Sequence, residues 1–85
     1  MRFDGAVIEE QGVTFAIVVV KPSAVSTQYS IAETQNYFAQ YFPNMPIILM
    51  CQDFNGTPTY YGERNIVNFL AGIYMEQIPW KTYTI

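Results

Sequence analysis

Two hydrophobic periods run along this chain, and the switches between them mark its elements. "AVIEEQGVTFAIVVVK" (residues 6–21) is β-rich on both sides of Gln11-Gly12. An X-Gly pair between two such runs predicts a hairpin. The first strand begins at Phe3 or Ala6, and its Glu9 and Glu10 suit an edge that faces water. The second, residues 13–21, is apolar on both faces near its end, as a central strand covered on both sides must be. Pro22 stops it, because proline cannot donate to a ladder.

The period then changes to that of a helix. Ser30-Ile31-Ala32-Glu33 fits a capping box, which predicts a helix over residues 31–42. Ile31, Thr34, Phe38, Tyr41 and Phe42 form its apolar stripe and Tyr37 broadens it. Pro43 and Asn44 close it. A strand at 47–52 follows, then a turn at Asp53-Phe54-Asn55-Gly56 and a short returning strand at 57–61, where Pro58 argues for an edge. Gly62 breaks the chain before a second helix over 63–73, with Ile66, Val67, Leu70, Ile73 and Tyr74 on one stripe and Phe69 beside it. In the tail, Trp80, Thr82 and Thr84 alternate with Lys81, Tyr83 and Ile85. That is the pattern of a possible fifth strand, formed within the chain or on a partner.

The resulting class is α+β: a ββαββα sandwich of two or three layers, with a four-stranded mixed sheet, two helices and a possible fifth strand. The stretch between 21 and 47 is long enough for a crossover between parallel strands, and an antiparallel return is equally compatible with it. With 85 residues, the expectation is a single domain spanning 1–85.

Composition sharpens the picture at the surface. Apolar residues make up 51% of the chain and charged ones 13%, against an average of about 25% charged. Few charges remain to cover the outside, and six Phe, seven Tyr and one Trp must be accommodated. Small domains of this kind bury apolar area against partners, so a homo-oligomer, most simply a dimer, or another protein partner is expected. The net charge is −3, and the four cations, Arg2, Lys21, Arg64 and Lys81, are dispersed. They make no track for phosphates, which argues against nucleic acid. The longest apolar run, residues 15–20, falls far short of the roughly 18 needed to span a bilayer. No signal peptide is evident at the start, and a cytoplasmic location without membrane attachment is the expectation.

The chain has no histidine and one cysteine. That removes the commonest general base and metal ligand and any internal disulfide. No cofactor, metal site or catalytic set is expected. Cys51, in mid-strand without a nearby second cysteine, reads as a packing residue rather than a reactive thiol. The seven carboxylates form no constellation: Glu9 and Glu10 point to opposite faces of a strand, and Asp53 belongs to a turn.

Residues 46–73, a proline-led strand, a hairpin, a glycine and an amphipathic helix, resemble the ββα closing half of thioredoxin-like domains. The resemblance makes Pro46 the position at which to look for a cis bond. The Cys-x-x-Cys of such domains is absent, since the corresponding junction reads "KPSAVSTQYS", and redox activity is not implied.

Two patches merit inspection as sites. Ser23, Ser26, Thr27 and Ser30 precede a helix N-terminus, where anions bind, although the loop lacks any glycine-rich phosphate fingerprint and the same hydroxyls suit capping and turns. Tyr60, Tyr61 and Arg64, with Trp80, are residue types favoured at interfaces, with one of the adjacent tyrosines expected to face outward. The reading is a non-enzymatic protein-interaction or homodimerisation module, the alternative being a small-ligand or anion-binding domain.

Overall fold

The first hairpin is made by a turn in which Gln11 and Gly12 both take positive φ, 51° and 80°. This backbone matches the right-handed twist of paired strands. It joins β1 (Arg2–Glu10) to β2 (Val13–Val19) in antiparallel register. The computed structural model describes residues 1–85. After β2 a single 3-10 turn (Pro22–Val25) leads into α1 (Gln28–Ala39), and the chain returns as β3 (Ile47–Gln52). β3 lies parallel to β2, which settles the crossover that the sequence left open.

The second hairpin works differently. Asp53 closes it by accepting three backbone N–H groups: those of Asn55 and Thr57 on its carboxylate, both at 2.9 Å, and that of Gly56 on its carbonyl. Only Gly56 of the Asn-Gly pair takes positive φ. β4 (Pro58–Tyr61) then pairs antiparallel with β3. After α2 (Arg64–Ala71) and a 3-10 turn (Met75–Gln77), β5 (Lys81–Thr84) pairs antiparallel with the first half of β1.

The result is one mixed five-stranded sheet in the order β4-β3-β2-β1-β5. Strand alternation sends successive side chains to opposite faces, and each face meets one helix. Ala16, Val18, Ile47 and Leu49 pack with Phe38 of α1, and with Phe3 and Phe42. Phe15, Ile17, Ile48 and Met50 pack with Ile66 and Leu70 of α2, and with Ile78. Of the two- or three-layer arrangements, three layers form, because β2 and β3 are apolar on both faces. No helix is long and apolar enough to cross a membrane.

Several boundaries differ from expectation for local reasons. α1 begins and ends three residues earlier than predicted. Its N-cap is Thr27, whose hydroxyl accepts from the Ser30 amide at 3.0 Å while the Ser30 hydroxyl accepts from the Thr27 amide at 3.1 Å. The capping box therefore uses Ser30 as its second member rather than its first, and Glu33 instead accepts from the Tyr29 hydroxyl. β1 is longer than a short edge strand, since β5 covers Arg2 through Gly5. Only the end carrying Glu9 and Glu10 remains an edge. Cys51 is half-buried at the rim of the α1-side core rather than inside it. The peptide bond before Pro46 is trans, as are all others.

Candidate interaction surface

The hydroxyl-rich segment is occupied with its own backbone. The Ser26 hydroxyl donates to the Ser23 carbonyl at 3.1 Å. Ser30 donates to the Thr27 carbonyl at 2.9 Å and accepts from the Thr27 hydroxyl at 3.2 Å. These groups satisfy the N-terminal turn of α1, and none of the four residues lines any of the clefts described below.

The second predicted patch is divided by the topology. Tyr60, Tyr61 and Arg64 come together at the β4 edge of the sheet in a cleft of about 580 Å³, with Gln28, Ile31 and Gln35 of α1 forming its far wall. Gln35 donates to the Ile47 carbonyl at 3.0 Å and ties α1 to the start of β3. Trp80 sits at the opposite side of the sheet, just before β5. Its indole donates to the Met75 carbonyl at 3.0 Å, and its ring packs on the α2-side core.

Neither tyrosine faces outward. Tyr60 packs on the α2-side core and Tyr61 on the α1-side core, because helices cover both faces of the sheet. The Tyr60 hydroxyl is buried and has no hydrogen-bond partner. Burial pushes its phenol above the ordinary tyrosine value. Pro58, whose missing N–H removes a donor, sits on this outermost strand. No group of three or more His, Cys, Asp or Glu side chains is placed to hold a metal ion.

A contiguous exposed apolar surface lies at the other edge. Met1, Tyr37, Tyr41 and Ile85 are between 37% and 57% exposed, and none carries a charged side chain. They are contiguous: the Tyr37 hydroxyl donates to the Met1 sulfur at 3.9 Å, and the Tyr37 and Tyr41 rings are 5.8 Å apart. Met1 and Ile85 exchange two backbone hydrogen bonds of 2.6 and 2.8 Å. Behind them Phe3 stacks on Tyr83 at 5.1 Å and meets Phe38 edge-on at 4.9 Å. The 37/41 spacing on one helix face was visible in the sequence. Its junction with residues 1 and 85 was not, because only the pairing of β1 with β5 creates it.

The backbone beside this aromatic margin is also open. The Met1–Ile85 exchange fixes which residues of β5 face β1: by alternation, Tyr83 and Lys81 do so too. Thr82 and Thr84 therefore direct their N–H and C=O groups outward, where no strand follows.

The chain matches no protein-family profile, no curated protein and no solved structure.

Proposed function

We propose that this protein is a non-enzymatic interaction module whose first partner is a second copy of itself, joined through β5. The observation that carries this reading is the coincidence of an unpaired strand edge with the exposed apolar margin of Met1, Tyr37, Tyr41 and Ile85. Two β5 strands running antiparallel about Tyr83 pair Thr82 with Thr84 of the second copy through the outward backbone groups. They also set Lys81 opposite Ile85, so no like charges face each other. A two-fold axis at that point is perpendicular to the sheet and brings both α1 helices to the same face, with their tyrosines flanking the seam. Such an interface is self-complementary, as closed dimers require.

Size-exclusion chromatography with light scattering tests it, and the expected species at tens of micromolar is a dimer. Thr84→Pro removes an outward N–H without touching the β1 ladder, and Tyr41→Glu places a charge in the margin. Each shifts the population to monomer while the circular dichroism spectrum stays unchanged. A wild-type protein that elutes as a clean monomer at that concentration sinks the reading.

A further inference from the structure

We infer a second binding site at the uncovered end of β1, one that takes an extended basic peptide as an added strand. β5 pairs with β1 only as far as Gly5↔Lys81. The chain departs there because Pro79 lacks an N–H and the Trp80 amide turns back to the Ile78 carbonyl at 2.8 Å. The alternation that aims Met1, Phe3 and Gly5 at β5 continues along β1. Val7 and Glu9 thus present N–H and C=O in the same direction with no strand opposite them.

Beside this open edge runs a groove of about 380 Å³ with Phe69, Ile73 and Pro79 on its wall. An added strand alternates its side chains, so every second residue falls against those apolar groups while its backbone bonds to Val7 and Glu9. Strand addition of this kind draws affinity from the main chain and selectivity from the pockets for alternate side chains.

Charge selects the occupant. Glu9 and Glu10 line this groove, and Glu10 and Glu63 line the adjoining one of about 550 Å³. No lysine or arginine lines either. A second copy docking by the same edge, with Val7 across from Glu9, brings the two Glu9 side chains to diagonal positions about 7–8 Å apart, a like-charge contact. A strand that carries apolar residues toward Phe69 sets its alternate, cationic residues on the other face of the sheet beside Glu9, and meets no such opposition.

The probe is a short, acetylated and amidated peptide of alternating lysine and valine, with its glutamate–valine counterpart as control, titrated into the full chain and followed by amide chemical shifts. The lysine peptide is expected to shift the Val7 and Glu9 amides and slow their hydrogen exchange. Binding weakens about tenfold between low and physiological salt, as contacts among exposed charges do. Glu9→Gln with Glu10→Gln weakens it similarly. N-methylation of the peptide at alternate residues separates strand addition from mere charge attraction: one of the two methylation sets abolishes binding and the other leaves it intact. This readout needs no variant of the protein, and Val7→Pro, which removes an outward donor, gives the same loss. Equal binding of the glutamate peptide, equal sensitivity to both methylation sets, shifts centred on Tyr37 and Tyr41, or no binding at millimolar peptide overturns the site. So does a Val7→Pro variant that alters the oligomeric state, since that assigns the edge to a second copy.

Discussion

Tyr60 is the residue at which this fold is least satisfied. Its hydroxyl is buried without a partner, and an orphaned polar group costs about 1–3 kcal/mol. Tyr60→Phe removes the orphan and keeps the ring, so the melting temperature should rise, by the equivalent of about 1 kcal/mol. The same burial raises the folded-state pKa above the ordinary 10.0. Below that value both folded and unfolded chains keep the proton, and this group makes no pH slope. As pH rises past it the unfolded chain releases the proton first, so stability falls toward the folded-state value. Denaturant melts at alkaline pH should show a shallower decline for Tyr60→Phe than for the wild type; parallel curves would mean that the phenol is hydrated. Gly5 is the counterpart in backbone geometry. A Cβ there would sit 2.7 Å from the Ile17 carbonyl oxygen, so Gly5→Ala should cost about 1–3 kcal/mol, as overpacking of a tight site does.

Among the elements, α1 shows how one cap decides a boundary. Both Thr27/Ser30 and Ser30/Glu33 offer a hydroxyl three residues ahead of a partner, and the chain uses the first. Thr27→Ala should therefore cost about 1 kcal/mol, whereas Glu33→Ala, whose partner is the exposed Tyr29 hydroxyl, should stay within about 0.5 kcal/mol. Thermal melts of the two variants distinguish the registers, and the reverse ranking would restore the later cap. The strands were more legible. β3 has the predicted limits, 47–52, because a proline before it and Asp53 after it punctuate an unbroken apolar run. Pro58 marked β4 as an edge, and it is one. Glu9 and Glu10 suit an edge at the end of β1, yet its first half is covered by a strand nearly eighty positions away. No local signal reports that contact.

For the whole molecule, the expected measure of self-association is concentration dependence. If folding is coupled to dimer formation through β5, the melting temperature of the wild type rises with protein concentration by mass action. That of Thr84→Pro does not. A wild-type melting temperature independent of concentration would mean that the folded chain does not associate in this range. The low charge content that prompted an expectation of partners has a structural counterpart in nine exposed large apolar residues, among them Tyr37 and Tyr41. Composition could say that such residues would be left over, but not where.

The sequence by itself determined the elements and their class. Periods of two and of three to four, the X-Gly and Asp-initiated turns, and the prolines are all local properties, since each depends on residues within a few positions of one another. It also showed that the second strand is apolar on both faces near its end, while leaving open whether two or three layers form. Tertiary structure alone decided the parallel placement of β3 on β2 and the docking of β5 on β1. It also split Trp80 from Tyr60, Tyr61 and Arg64, and assembled the aromatic margin from residues 1, 37, 41 and 85. These depend on strand order, and strand order is set by contacts between segments far apart in the chain, which no local pattern encodes.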